Sequence, residues 1–137
     1  MTYDDDLRRI LTRVKTIALV GWSPKPDRPS HRVAQFLVAR GYRVIPVNPG
    51  QAGMDSGLGE MVRGDLTDID GPIDMVDIFR RSDAVGPIVD AALRLGVKVV
   101  WMQLGVVDDR AAALARAQGA DVVMDRCPAI EIPRLGL

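Results

Sequence analysis

The residues best suited to chemistry lie in one polar segment, 21–30, which reads G-W-S-P-K-P-D-R-P-S. It supplies hydroxyl groups at Ser23 and Ser30 and cations at Lys25 and Arg28. Over this segment and the two residues after it, three Lys or Arg residues face one Asp, which leaves a local charge of +2. Ser30 is predicted to cap a helix, and the free N–H groups and dipole of a helix N-terminus attract anions. The segment therefore predicts a phosphate site.

The other chemistry-bearing residues argue against several kinds of site. Segment 21–30 lacks the G-x-G-x-x-G pattern of dinucleotide sites. An NAD site places Asp or Glu at the end of the second strand, where this chain has Val47-Asn48-Pro49, so NAD and FAD are both disfavoured. His31 is the only histidine, so we expect no metal site built from several histidines. No motif pairs two carboxylates. Cys127 is predicted to be a small buried residue, with a redox-active thiol as the alternative. We therefore expect neither catalytic residues nor a metal.

Composition narrows the class of protein. The chain has 137 residues, 47% apolar and 26% charged, which is typical of one globular domain spanning residues 1–137. Eighteen Lys and Arg residues equal eighteen Asp and Glu residues, so no overall charge favours nucleic acid. No apolar run approaches the roughly 20 residues of a membrane helix. A single cysteine fits a reducing compartment, and we expect a cytoplasmic protein with no membrane partner.

The elements that position this segment follow from hydrophobic patterning. Short apolar runs that alternate with helical patterns are typical of a parallel sheet with right-handed crossovers. We predict a Rossmann-like α/β fold, an open doubly wound parallel sheet of about five strands in the order 3-2-1-4-5. The predicted elements are an N-terminal amphipathic helix over 1–15, strands at 16–20, 43–47, 75–79, 97–104 and 122–124, and helices starting at Ser30, Ser82 and Asp108. Pro46 is expected to end regular pairing of the second strand early, and residues 50–71 to be mostly loop.

Topology places the chemistry at one edge of this sheet. Ligands of open α/β sheets bind beyond the carboxyl ends of the strands, where the strand order reverses. In the predicted order, that point lies between the first and fourth strands. Four segments are expected to meet there: 21–30, 47–50, 79–82 and 103–105.

Several motifs in this order resemble a known family. They are Gly21, Ser23, Pro24, Arg28 and Ser30, followed by Gly41-Tyr42, Val44 to Pro49, Asp77 to Arg81, Trp101 to Gly105 and Met124 to Pro128. Together they resemble the small stand-alone CoA-binding proteins, which are similar to the nucleotide-binding half of the succinyl-CoA synthetase α subunit. The resemblance covers roughly residues 10 to 132. Trp22 departs from the small residue expected after Gly21, and Gly64-Asp65 replaces the Ser expected before Leu66.

The resemblance implies that coenzyme A lies in the crevice where the strand order reverses. It places the phosphates near Ser23, Lys25 and Arg28, the adenosine near residues 47–49, and the pantetheine arm near residues 103–105. Arg80 is a further candidate contact for an anion. The cofactor-binding residues expected on this basis are Gly21, Trp22, Ser23, Lys25, Arg28, Ser30, Val47, Asn48, Pro49, Phe79, Arg80, Gln103, Leu104 and Gly105.

The implied function is a non-catalytic CoA-binding or acyl-CoA-binding protein with a small-molecule partner. The alternatives are a nucleotide-dependent enzyme or subunit, either an NAD(P)-type oxidoreductase fragment or an acyl-CoA ligase partner, and an interaction protein with an empty crevice. At the level of residues, Lys25 and Arg28 could be a solvated face, and Asn48 could satisfy its own backbone. Arg80 could instead pair with Asp77 or Asp83. The sequence also leaves open whether the chain forms a homo-oligomer.

Overall fold

Five parallel strands form one sheet in the computed structural model, which describes residues 2–137. The prediction of a Rossmann-like, doubly wound parallel sheet is confirmed. Met1, the first residue of the predicted domain and of its first helix, lies outside the described residues. The strands are β1 (Thr16–Val20), β2 (Arg43–Val47), β3 (Met75–Ile78), β4 (Val99–Met102) and β5 (Asp121–Val123).

The strand order is β2-β1-β3-β4-β5, which differs from the expected 3-2-1-4-5 in the place of the third strand. β3 pairs with β1, with Ala18 opposite Val76, and β2 forms the edge. The segment that returns from β2 packs Leu66 and Ile69 into a different core cluster from the helix between β1 and β2. A right-handed crossover on the opposite face must run the opposite way along the sheet. The order therefore reverses between β1 and β3.

The helices cover both faces of the sheet. α1 (Tyr3–Arg13), α2 (Pro29–Ala39) and α5 (Pro128–Arg134) pack on one face, and α3 (Val85–Arg94) and α4 (Asp109–Ala117) pack on the other. Alternate strand residues point to opposite faces, so the strands are buried on both sides. No helix among residues 2–137 combines the length and the apolar character needed to cross a membrane.

Two local features differ from the expectations. α5 was not predicted, although Pro128, Glu131, Ile132 and Leu135 are buried at helical spacing and Pro128 occupies its first turn. Pro46 does not end pairing early, because β2 continues through Val47. The Pro46 carbonyl, on the outer side of the edge strand, accepts from the Arg63 N–H at 2.9 Å, so the missing Pro46 N–H removes no bond to β1.

Candidate functional site

A cleft of about 320 Å³ opens at the carboxyl end of β1, where the strand order reverses. Its volume lies near the lower end of the range of about 300–1,000 Å³ that is usual for small-molecule sites. Pro29, at the first position of α2, was not among the expected residues. The residues around the cleft are Gly21, Ser23, Lys25, Arg28, Pro29, Ser30 and Phe79.

Gly21 allows the exits of three strands to converge. Its φ is +91°, and a Cβ built there would fall well inside van der Waals contact of the Phe79 carbonyl oxygen. The same Cβ would lie 3.1 Å from Cδ of Arg80, so the Arg80 side chain passes beside this glycine. The Gly21 N–H donates to the carbonyl of Val47 at 2.9 Å. Any side chain at this position would push β1 and β3 apart at the floor of the cleft.

The two hydroxyl groups hold the loop that forms the cleft. The Ser23 N–H donates to Ser30 Oγ at 3.0 Å, and the Lys25 N–H donates to Ser23 Oγ at 3.2 Å. The prediction that Ser30 caps the helix is wrong, because Arg28 is the N-cap residue and Pro29, with its preset φ, starts α2. Each serine oxygen accepts a backbone N–H, which leaves its own O–H as a donor.

The N-terminus of α2 offers fewer free donors than an ideal helix. Pro29 has no N–H, and the N–H groups of His31 and Arg32 both donate to the Arg28 carbonyl, at 3.1 and 3.2 Å. Within residues 2–137, the Ser30 N–H forms no hydrogen bond. Ser30 therefore presents both a backbone N–H and a hydroxyl to an anion at the positive end of the helix dipole.

Two cations complete the mouth of the cleft. Lys25 and Arg28 are exposed, and neither forms an ion pair in the part of the chain that the structure describes. Arg32 is used differently, because its guanidinium donates to the backbone carbonyl of Asp27. The cleft thus combines two available positive charges with the donors of Ser30, an arrangement suited to a phosphate.

The residues expected from the exit of β2 support the loop instead of lining the cleft. Asn48 Nδ2 donates to the Trp22 carbonyl at 2.7 Å, and Asn48 Oδ1 accepts from the Gly50 N–H at 2.9 Å. Val47 is buried and its carbonyl accepts from both Gly21 and Trp22, while Pro49 is exposed. The alternative in which Asn48 satisfies nearby backbone groups therefore describes its side chain.

Trp22 lies beneath the loop, in the core. Its side chain is 1% exposed and stacks on His31, with ring centroids 5.6 Å apart. His31 Nδ1 lies 2.9 Å from the carbonyl of Ser23, an acceptor, so Nδ1 carries a proton. Trp22 Nε1 is buried without a partner among the described residues. The indole therefore supports the cleft from below and does not line it.

The exits of β3 and β4 lie beside the cleft. Phe79 lines it, whereas Arg80 is exposed and forms no ion pair within residues 2–137; Arg81 is the residue that contacts Asp83, at 3.4 Å. Leu104 is 58% exposed, and the exposed Gly105 donates its N–H to Asp125 Oδ1 at 2.7 Å. Leu104 and Gly105 border the same edge of the sheet without lining the cleft.

Gln103 contacts a carboxyl group that the sequence did not place in the site. Asp77 is fully buried in β3, and burial raises its pKa well above the ordinary value. With its amide nitrogen turned toward this carboxyl, Gln103 donates to the two oxygens at 2.7 and 3.1 Å. In the sequence, an acidic residue inside the apolar run 75–79 indicates a buried carboxyl group that needs a polar partner.

A cleft of similar size, about 350 Å³, lies at the opposite end of the sheet, between α1 and the starts of β3 to β5. Arg9, Arg13 and Lys98 line it, but Arg9 is paired with Asp121 at 3.0 Å. α1 and α3 end at this cleft, and the partial negative charge of helix C-termini disfavours anions. The cations there complement the helix ends, and the cleft at the reversal point is the better anion site.

These features define a class: a Rossmann-like domain with an anion-binding cleft where its strand order reverses. The chain belongs to the CoA binding domain family, which matches residues 15–133. The motifs that carried the resemblance, from Gly21 to Pro128, all lie within this range.

Related proteins cover nearly the same length. The chain is 40% identical over 122 residues to the uncharacterized protein YneT of Bacillus subtilis, covering 89% of this chain and 88% of that protein. It is similar to the structure of ID.343 from Thermus thermophilus, with a TM-score of 0.92, 36% identity and coverage of 98% and 99% of the two chains. A hypothetical protein from Pyrococcus horikoshii gives a TM-score of 0.92 at 38% identity, with coverage of 99% and 94%.

Proposed function

We propose that this protein is a non-catalytic module that holds CoA or an acyl-CoA at the carboxyl ends of its parallel strands. The observation that carries the proposal is the cleft in which Lys25 and Arg28, both without ion pairs among the described residues, stand beside the donors of Ser30. Membership of the CoA binding domain family supports CoA over other phosphorylated ligands.

The cleft suits the phosphates better than the whole cofactor. Its volume of about 320 Å³ is small for a ligand the size of CoA, so the remainder must lie along neighbouring strand exits. Arg80, beside Gly21, extends the positive charge toward β3. At the exit of β4, the exposed Leu104 offers an apolar surface for the pantetheine arm, next to the largely buried Gln103.

A non-catalytic role is supported by the state of the nucleophilic and basic groups. Catalysis by a nucleophile requires a base within hydrogen-bond reach. His31 uses Nδ1 to hold the Ser23 carbonyl and stacks on Trp22. Cys127 is buried, 6% exposed, and stands before α5 at the exit of β5. Neither group is placed in the cleft as a catalytic pair.

The test is isothermal titration calorimetry with CoA at low salt. Lys25→Gln and Arg28→Gln each remove a charge-assisted contact worth roughly 1.5–3 kcal/mol, so each is expected to weaken binding about tenfold or more. Arg94→Gln is the matched control, because Arg94 is exposed at the C-terminus of α3 and its loss changes the net charge equally. Thermal unfolding is expected to change little in the two cleft variants.

Two outcomes would overturn the proposal. Absence of binding heat and of thermal stabilisation with CoA would refute CoA as the ligand. Equal CoA affinities of the cleft variants and the Arg94→Gln control would refute the cleft as the binding site. A parallel titration with NADPH tests the oxidoreductase alternative, and stronger stabilisation by NADPH than by CoA would favour that alternative. We expect none, because Asn48 stands where a ribose-binding acid is required and its amide is already bonded.

A further inference from the structure

A carboxyl group lies in the middle of the sheet and has no charged partner in the part of the chain that the structure describes. Asp77 is fully buried in β3, with Leu19 of β1 and Trp101 of β4 as its neighbours in register. No Lys or Arg side chain among residues 2–137 lies within ion-pair distance of it. Burying an ionised carboxylate without a counter-charge is strongly unfavourable, so this group favours its neutral form.

The partner of Asp77 is an amide, which can meet a carboxyl group in two ways. One end of the Gln103 amide lies 2.7 and 3.1 Å from the two carboxyl oxygens. If Asp77 is ionised, Gln103 must turn its NH₂ group inward and donate to it. If Asp77 is protonated, its O–H can donate to an inward-turned Gln103 Oε1. The two arrangements occupy the same space and differ by a half-turn of the amide.

The surroundings of the pair leave burial as the controlling effect. The pKa of Asp77 is raised by desolvation, with no contribution from a charged neighbour. α1 turns only the apolar side chains of Leu7, Ile10 and Leu11 into this face of the sheet. The titratable or charged groups that the other elements bring to this face are His31 on α2, Tyr42 before β2, Cys127 before α5, and Glu131 on α5 with Arg126 and Arg134 bonded to it.

Gln103 connects this buried group to the edge where the proposed ligand lies. The Gln103 N–H donates to the Ile78 carbonyl at 3.3 Å, at the shared exit of β3 and β4. Its neighbour across that exit is Phe79, which lines the cleft. Asp77 is 0% exposed and Gln103 is 5% exposed, so Gln103 is the member of the pair that a group arriving at the strand exits can reach.

We propose that Asp77 is a positioning residue for the CoA site, and that its protonation decides whether Gln103 presents its NH₂ group or its carbonyl oxygen to the ligand. This inference rests on the proposed function. The anionic phosphates of CoA, and the loss of water when CoA covers the strand exits, both favour the neutral carboxyl. Binding therefore takes up a proton from solvent onto Asp77, and Gln103 then presents its NH₂ group to a carbonyl of the pantetheine arm.

The first experiment needs no CoA. Side-chain NMR of the ligand-free protein follows the Asp77 carboxyl carbon and the Gln103 NH₂ resonances through a pH titration. The two signals are expected to shift together, above the pH range of an exposed Asp. In Asp77→Asn, which keeps an acceptor for Gln103 but cannot titrate, the Gln103 resonances are expected to stay constant. Independent titration of the two groups, or an Asp77 that titrates like an exposed carboxyl, would overturn the inference.

The second experiment measures protons taken up when CoA binds, by calorimetry in buffers of different ionisation enthalpy. The wild type is expected to take up more protons than Asp77→Asn when CoA binds. As pH rises through the titration of Asp77, the affinity of the wild type for CoA is expected to fall by up to about tenfold per pH unit. Equal proton uptake by the two proteins would overturn the inference. Asp77→Leu provides a second variant if Asp77→Asn does not fold; it also lacks a titrating group and is also expected to lose the extra uptake. Loss of CoA binding by every protein, with the NMR coupling intact, would refute the proposed function and this ligand role but leave the Asp77–Gln103 pair established.

Discussion

Replacing Gly21 with alanine tests whether the close approach of β1 and β3 fixes the floor of the cleft. The added Cβ would lie 3.0 Å from the Phe79 carbonyl carbon and closer still to its oxygen, both of which are backbone atoms with little freedom to move. Gly41 is a matched control, because its φ of +97° is similar and a Cβ there would meet nothing within 4 Å.

The magnitudes separate the two sites. A non-glycine residue at positive φ costs about 1–2 kcal/mol, which is the whole expected effect of Gly41→Ala. At Gly21 the steric overlap adds about 1–3 kcal/mol, for a total loss of about 2–5 kcal/mol. In a protein of this size, each kcal/mol lowers Tm by roughly 2–4 °C.

The assay is urea unfolding of both variants at equal pH and ionic strength, followed by CoA titration. Gly21→Ala is expected to lose more free energy of unfolding than Gly41→Ala and also to bind CoA more weakly, because the overlap displaces the loop that carries the cleft. Losses that agree within about 0.5 kcal/mol would refute the steric argument, since the two sites share the backbone strain and differ in the contact.

Two further predictions concern pH. Asp77→Asn is expected to be more stable than the wild type at neutral pH. Burial raises the folded-state pKa of Asp77, so the stability that its carboxyl contributes is present below the unfolded-state pKa and is lost as pH rises through the folded-state pKa. Unfolding curves of the two proteins that stay superimposed from acid to neutral pH would contradict this. Glu60 has a lowered pKa, chiefly because Arg43 donates a hydrogen bond to it. Its contribution to the free energy of unfolding is below about 1 kcal/mol; it is present above the ordinary Glu pKa and is lost as pH falls through the lowered pKa. NMR titration is expected to give a higher Glu60 pKa in Arg43→Gln, with Arg94→Gln unchanged.

Much of the fold could be predicted because buried parallel strands and amphipathic helices leave clear periods in the sequence. All five strands and four of the five helices lie where the patterns placed them, to within a few residues. The order of the strands was harder to predict, because it depends on which face of the sheet receives residues 48–74. That segment contains only short 3₁₀ turns and isolated β-bridges, and nothing local indicates that Leu66 and Ile69 pack against the face opposite α2.

The place of the candidate site in the fold could be predicted from the sequence, and its contacts less well. Charge and spacing identified Lys25 and Arg28, whose side chains face solvent and need no tertiary information. Ser30, Asn48 and Trp22 were harder, because their roles depend on groups brought close only by folding: the Ser23 N–H, the Trp22 carbonyl and the His31 ring. Asp77 was one of two alternative ion-pair partners for Arg80, with Asp83, but it is buried in the core, as its position in an apolar run indicates.

The web of bonds around the loop has a consequence for binding energetics. Ser23, Ser30 and Asn48 tie the loop to itself and to the neighbouring strand exits in the free protein. The loop therefore loses its conformational entropy on folding, before any ligand binds. Binding at the cleft then needs to order little further backbone, which lowers the entropic cost of binding. The cleft is therefore preorganised and does not need to close around its ligand. Asn48, at the end of the edge strand β2, is one of the residues that fix it.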